Sequence, residues 1–450
     1  MSTKPQLFGT DGVRGIAGEY PLDRDTVVSL GKALGSTLIG AARSTRPEVV
    51  LGEDTRESSP WIARSLAAGL RSADLEVAFA GVITTPGIAF LTRHHGFAAG
   101  VMISASHNPF EDNGIKVISS AGTKLPESVE LEIESAFRHF QTRDGPVPDV
   151  PLNPLPELLD EYLSFLETLA PHGHRRFKLV CDAANGSSSA VVPALARRIG
   201  AEFRILNAEP NGRNINLGCG SLHPQEMAAE TRGCRADLGV AFDGDADRAI
   251  FASPRGKILD GDHILFAAAP FLQALHALKG NAVVGTLMTN LGLELALKSH
   301  AIALKRTPVG DRFVLEEMLR SGINLGGEPS GHIIFSDVSA AGDGIVTLLE
   351  VLGFLSETGM SADDLIGDYK PFPQLILNVR VSSKPPLDSL SEVAGALEHC
   401  RSDLGVSGRV VLRYSGTEPL ARVMVEAEDA ASVRHHAAAI AGTIQKTIGI

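Results

Sequence analysis

A chain of 450 residues is too long for one hydrophobic core, so roughly three or four domains are expected. Its apolar fraction of 44% and charged fraction of 21% belong to an ordinary globular protein and exclude disorder. A net charge of −12 with 5% aromatic residues argues against a nucleic-acid partner, which would need a basic face or stacking platforms.

An anionic substrate would then have to be met by locally placed Arg and Lys, so each basic residue is informative. Cys181, Cys219, Cys234 and Cys400 show no metal or CxxC spacing and read as thiols of a reducing compartment. The N-terminal MSTKPQLFGTDGVRG has no apolar leader pattern. The most apolar stretch, 264–275, is broken by Pro270 and Gln273 and is too short to span a bilayer. No membrane partner and a cytoplasmic location are the expectations.

In chain order, one pattern occurs three times: a β-branched strand, a small polar turn, then a helical run. Strand 49–51 leads through Gly52-Glu53-Asp54-Thr55-Arg56 to a helix over 61–70. Strand 179–181 leads through 182–186 to a helix over 191–199, and strand 283–285 leads through 286–292 to a helix reaching Leu297. Strands alternating with helices imply parallel α/β units. Pro- and Gly-rich punctuation at 145–156, 254–256 and 369–373 suggests domains at 1–152, 153–254, 255–369 and 370–450. The last of these opens on an alternating strand, 375–381. It continues as helix, strand, strand, helix, a small α+β domain.

Four polar loops carry candidate chemistry. Ser104-Ala105-Ser106-His107-Asn108-Pro109 follows the apolar run 100–103, at a strand end where α/β sheets receive ligands. Ser106 is an exposed hydroxyl there, or the residue of a simple turn. No G-x-S-x-G elbow surrounds it. Lys116, shortly after, could supply a cation or move a proton.

Asp243-Gly244-Asp245-Ala246-Asp247-Arg248 follows the strand 238–242. Alternate positions of an extended or turning chain aim three carboxylates at one spot. Two like charges about 4 Å apart repel by roughly 1 kcal/mol in water and roughly 4 at an effective dielectric of 20. Convergence therefore calls for a cation, and hard oxygens suit magnesium. The alternative is a solvated acidic turn. An EF-hand is excluded, because Arg248 and Pro254 stand where its glycine and closing Glu belong.

Gly326-Gly327-Glu328-Pro329-Ser330-Gly331-His332 can reach sugar hydroxyls and a moving proton, or can be a plain turn between strands. Arg413-Tyr414-Ser415-Gly416-Thr417-Glu418-Pro419, with Arg422, offers forked cations, hydroxyls and free N–H groups to a phosphate. A structural ion pair is the alternative for either Arg. Arg14 falls in a glycine-framed N-terminal turn, and Arg56 could pair with a nearby carboxylate.

FGTDGVRG, SASHNPFEDNGIK, DGDADR, GGEPSGH and RYSGTEP occur in this order from Phe8 to Pro419. The combination closely resembles the α-D-phosphohexomutase superfamily over nearly the whole chain. GTDGVRG, Asn214-Ile215-Asn216, Cys219 to Pro224, Val309-Gly310-Asp311-Arg312 and SGTEP favour its phosphoglucosamine mutase branch. The resemblance implies four domains around a central cleft, three related mixed α/β sandwich domains plus a smaller C-terminal α+β domain.

It implies that Ser106 is a phosphoserine. Asp243, Asp245 and Asp247, with a phosphate oxygen on Ser106, would hold one Mg2+. Glu328 and Ser330 would contact sugar hydroxyls. Arg413, Ser415, Gly416, Thr417 and Arg422 would grip the non-reacting phosphate. Arg14, His107, Lys116, Arg248 and His332 match positions near the transferring group. The implied reaction interconverts glucosamine 6-phosphate and glucosamine 1-phosphate through a bound glucosamine 1,6-bisphosphate, which also serves as activator; a homodimer is compatible with it.

Two positions depart from the branch: Pro329 stands where Gln is common, and Tyr414 where Pro is common. Neither removes a charge or a catalytic group. The rival readings are a phosphomannomutase/phosphoglucomutase of the same fold and, more distantly, a magnesium-dependent sugar phosphatase using Asp243 as nucleophile.

Overall fold

Each of the strand–turn–helix repeats builds a sheet of mixed parallel and antiparallel strands. The structure, a computed structural model, describes residues 7–9, 11–41, 47–140, 150–171, 177–367, 369–415 and 419–450. The first sheet contains β1 (Val13–Ile16), β2 (Glu48–Glu53), β3 (Glu76–Val82), β4 (Ala99–Ile103) and β5 (Asp112–Ser119), in the order β1-β5-β4-β2-β3. The pairs β2–β3 and β2–β4 are parallel, whereas β4–β5 is an antiparallel hairpin. Every residue of β4 is buried, which explains its unbroken apolar run in place of an alternating one. Val49, Leu51, Val101 and Ile103 pack with Leu66 and Leu70 of the helix Ser59–Ser72.

The second sheet repeats this plan. It holds β6 (Lys178–Asp182), β7 (Glu202–Leu206), β8 (Leu238–Phe242), β9 (Ala249–Ala252) and β10 (Ile258–Leu259), in the order β10-β9-β8-β6-β7. Again the central strands are parallel, and β8–β9 is an antiparallel hairpin. Further along come β11 (Ala282–Thr286), β12 (Ala303–Thr307), β13 (Leu325–Gly327) and β14 (Ile333–Phe335). There β11–β13 is parallel and β13–β14 antiparallel. Three of the four polar loops thus occupy one topological position. Each leaves the carboxyl end of a parallel strand and turns into an antiparallel partner, where open α/β sheets bind ligands.

The chain forms two compact units: Met1–Val284 with Gly310–Gly367, and Gly285–Val309 with Asp368–Ile450. In the second, β15 (Gln374–Arg380), β16 (Gly408–Tyr414) and β17 (Leu420–Ala427) form an antiparallel sheet in the order β15-β17-β16. The helices Ser391–Leu404 and Ala430–Ile448 supply Val393, Ile440 and Ile444 to a core with Val379, Val423 and Val425. Buried Glu426 accepts hydrogen bonds from Leu291 N (2.7 Å), Gln374 Nε2 (2.7 Å) and Arg409 Nε (2.5 Å). The segment 285–309 is anchored to the sheet by that carboxylate.

Candidate active site

Ser106 sits just beyond β4 with a left-handed backbone, φ 53°, which a non-glycine residue adopts only when its surroundings hold it there. Here they do. Ser106 N donates to Ser104 Oγ (3.0 Å), and Ser106 O accepts from Arg56 Nη2 (2.9 Å) and Asn216 Nδ2 (2.9 Å). Arg56 is fully buried, paired with Asp54 at 2.9 Å, and also donates to the carbonyls of Asn108 and Pro109. The loop's polar backbone is thereby satisfied by side chains, as buried carbonyls require. The Ser106 hydroxyl is left 2.5 Å from Asp243 Oδ2 and 3.2 Å from His107 Nδ1.

Asp243, Asp245 and Asp247 are all buried, and one oxygen from each lies within 4.8 Å of the others. Convergence comes from a tight turn in which Ala246 has φ 58°, not from an extended run. Gly244 is required by contact: a Cβ there would lie 2.4 Å from Ser106 O. Burial, then Asp247 and Asp245, push the Asp243 carboxyl well above the usual range. Asp245 Oδ1 and Asp247 Oδ1 are buried without hydrogen-bond partners among the described residues. Crowded hard oxygens with unspent lone pairs fit a small divalent cation.

Cations surround this turn. Lys116 Nζ, on β5, lies 2.6 Å from Asp245, 3.2 Å from Asp11 and 3.6 Å from Asp247. Burial opposes its charge, but Asp11, Asp245 and Asp247 outweigh that and raise its pKa. Lys124 bridges Asp11 (2.6 Å) and Asp311 (2.8 Å). His332 faces Asp247 through Nδ1 (3.8 Å) and Asp311 through Nε2 (3.7 Å). Burial disfavours its charge, yet the adjacent Asp247 and Asp311 carboxylates lift it to about 9. His107 goes the other way: burial, Arg248 and Arg14 press it to about 4. Asp247 is buried, but Lys116, His332 and Arg248 hold it well below the usual carboxylate range. Arg14, expected in a turn, instead lies in β1 opposite Gly114 and donates to Asp11. Arg248 N donates to Asp243 Oδ1 at 3.2 Å.

The third loop is the β13–β14 turn. Glu328 Oε1 accepts from Gly310 N (3.0 Å), and Ser330 Oγ is buried without a hydrogen-bond partner among the described residues. His332 is held by Gly342, where a Cβ would lie 2.2 Å from its Nε2. Ser106, His107, Lys116, Arg14, the three aspartates, Arg248, Glu328, Ser330 and His332 all belong to the first unit.

In the second unit, Arg413 of β16 stands directly across from Arg422 of β17. Like charges in register are unfavourable unless an anion joins them. Burial, then Arg422, lowers the pKa of Arg413. The pair lines a cavity of about 410 Å³ with Met288, Ile376, Asn378 and Met424. Ser415 is buried, and its carbonyl accepts from Lys384 Nζ at 2.7 Å. Gly416 and Thr417 lie outside the described residues.

The phosphoglucomutase/phosphomannomutase family matches in all its parts: alpha/beta/alpha domain I over residues 5–144, domain II over 160–256, domain III over 260–372, and the C-terminal domain over 376–443. The phosphoglucosamine mutase of Koribacter versatilis is 50% identical, covering 99% of this chain and 98% of the relative. That of Solibacter usitatus is 47% identical, covering 98% and 99%. The chain belongs to the α-D-phosphohexomutase superfamily. Among solved structures, a phosphoglucomutase/phosphomannomutase family protein from Burkholderia thailandensis shares the fold with a TM-score of 0.79 at 22% identity, covering 98% of this chain and 97% of the other. Aspergillus fumigatus N-acetylphosphoglucosamine mutase, solved in complex with GlcNAc-6P and magnesium, does so with a TM-score of 0.66 at 19% identity, covering 98% and 96%.

Several residues of this phosphohexomutase site escaped sequence reasoning. Arg56 was legible only as one half of an ion pair; its grip on three carbonyls needs tertiary structure. Asp11, Lys124 and Asp311 carry charges far apart in sequence, and no local spacing links them. Asn216, noted only as part of a family signature, donates to Ser106 O and Asn108 O. No helix among the described residues is long and apolar enough to cross a membrane.

Proposed function

We propose that the chain interconverts glucosamine 6-phosphate and glucosamine 1-phosphate, with Ser106 as the residue that carries the phosphoryl group. The observation behind this reading is the buried Ser106 hydroxyl 2.5 Å from the first carboxylate of a converging aspartate triad. The choice of glucosamine rests on the full-length relatives, both phosphoglucosamine mutases.

Phospho-Ser106 donates to the free hydroxyl of the bound monophosphate. The bond from phosphorus to Ser106 Oγ breaks as a bond to the sugar oxygen forms, and the proton lost by the sugar hydroxyl is balanced by one gained at Ser106 Oγ, which becomes a hydroxyl again. The product, glucosamine 1,6-bisphosphate, reorients, and its other phosphoryl group returns to Ser106 Oγ by the reverse step. Added from outside, the same bisphosphate would load an empty Ser106.

Asp243, Asp245 and Asp247 are assigned to one Mg2+, with a phosphate oxygen on Ser106. When bound, such an ion neutralises charge on the transferring group, the main task in phosphoryl transfer. Lys116 and His332 are assigned to proton transfer and charge stabilisation; neighbouring carboxylates favour the charged form of both. Arg14, His107 and Arg248 attend the reacting phosphate, and Glu328 and Ser330 the sugar. Arg413, Ser415, Gly416, Thr417 and Arg422 are assigned to the other phosphate. The domain limits 1–152, 153–254, 255–369 and 370–450, a homodimer and a cytoplasmic location belong to the same reading.

The test is conversion of the 6-phosphates of glucosamine, glucose and mannose, each primed with its 1,6-bisphosphate, with and without Mg2+. Magnesium-dependent preference for glucosamine supports the proposal. Preference for glucose or mannose moves the specificity to the phosphomannomutase/phosphoglucomutase reading. Release of free phosphate without an isomer overturns the mutase.

A further inference from the structure

The helix Thr85–His95 starts against the acidic triad, where Thr85 donates its N–H to Asp245 O (3.1 Å) and its hydroxyl to the Asp245 carboxylate. At a rise of about 1.5 Å per residue it ends about 15 Å away, at His94 and His95. Beside it runs the helix Pro156–Thr168, which brings Glu161 to 2.5 Å from His95 Nε2. One ligand atom from each of His94, His95 and Glu161 lies within 4.8 Å of the other two. Beneath them Phe90 stacks on His94 (5.2 Å between centroids) and on Phe165 (4.5 Å), which sets the spacing of the two helices. His94, His95 and Glu161 lie outside the aspartate triad and outside the four polar loops.

We propose that His94, His95 and Glu161 form a second metal site, for a divalent cation of the zinc class, separate from the aspartate triad. Two imidazoles and a carboxylate are a zinc donor set, with bonds of about 2.0–2.2 Å and a water in the fourth position. Magnesium, by contrast, takes oxygen ligands. Tetrahedral bonds of that length place ligand atoms about 3.3 Å apart. The three ligand atoms already lie within 4.8 Å of one another, with His94 and His95 exposed and Glu161 half-exposed; an ion would draw the more distant atoms in and part the His95–Glu161 pair. The histidines occupy the last helical turn, just before Gly96 closes the helix with a left-handed φ of 70°. The carbonyl ends of that turn favour a cation. Arg93, exposed in the same turn, is the nearby charge that opposes binding. A bound ion joins the two helices, and so joins a segment matched by domain I to one matched by domain II.

The experiment is calorimetric titration of the full chain with zinc chloride in saturating Mg2+. It compares wild type with His94→Ala/His95→Ala, Glu161→Gln, Arg93→Ala and Asp243→Asn, each checked by circular dichroism. The double histidine variant is expected to bind one zinc fewer than wild type while keeping its magnesium-dependent activity. Glu161→Gln should weaken that site at least about tenfold. Arg93→Ala and Asp243→Asn should retain it. Equal zinc binding by the double variant overturns the proposal. So does loss of the zinc in Asp243→Asn alone, which would assign the ion to the triad.

Discussion

The two units treat charge in opposite ways. Around Ser106, anions and cations alternate at close range: Asp54 with Arg56 and Asp245 with Lys116 are buried, and Lys124 between Asp11 and Asp311 is half-buried. In the second unit, Arg413 and Arg422 face each other across two strands, half-buried beside a cavity. An alternating network holds its members in fixed positions. Opposed cations repel, and an anion between them relieves that repulsion. The first arrangement suits chemistry that needs fixed geometry; the second suits a phosphate that comes and goes.

The comparison breaks most sharply at Ser106. Ser106→Ala removes a single oxygen and should cut mutase kcat on the order of 10³-fold or more, read in a coupled assay for glucosamine 1-phosphate. Normal turnover would move the chemistry elsewhere. Asp243→Asn should cost roughly 10²–10³-fold in magnesium-dependent activity. It should not weaken the metal-free fold. Burial, Asp247 and Asp245 raise the Asp243 pKa, so its charge costs stability at neutral pH, and the amide relieves about 1 kcal/mol of that. Urea unfolding in EDTA measures it.

Arg56→Met leaves Asp54 buried without its cation and should lower the unfolding free energy by about 3–5 kcal/mol. Arg413→Ala tests the other side. It should raise KM about tenfold with kcat little changed, since a charge-assisted phosphate contact is lost. Its thermal midpoint should hold, because Arg422 loses a like-charged neighbour. A lowered midpoint with unchanged KM would make Arg413 a structural residue.

The smallest effect is a pH slope. His332 is raised to about 9 by Asp247 and Asp311 against the pull of burial. Its unfolded value is about 6.5. A raised value means stability present below about 6.5 and lost as pH climbs through about 9. In EDTA, wild type should exceed His332→Gln by on the order of 1–3 kcal/mol at pH 6, and the gap should shrink by pH 9. A gap independent of pH would show that His332 acts by packing alone.

Much of this architecture follows from local chemistry. Apolar runs ending in SASHNP, DGDADR and GGEPSGH become strand ends and hairpin turns, because a strand buried on both faces must be apolar and its exit polar. The α+β order of the last 80 or so residues follows from its alternating strand and two helical periods, and the structure has that order. The triad was legible because its three carboxylates lie within five residues. Arg14 was not, since glycine framing reads as a turn while its partner strand, β5, lies about 100 residues away. Gly416 and Thr417 lie outside the described residues, so their part of the loop after β16 is known from sequence alone. Composition, periodicity and short motifs act within a few residues, and they determine which elements form and which side chains stand at strand ends. The grip of Arg56 on the serine loop, the Asp11–Lys124–Asp311 bridge and the pairing of Arg413 with Arg422 were decided only by tertiary structure. Coulomb and hydrogen-bond energies depend on distance in space, which sequence separation does not encode.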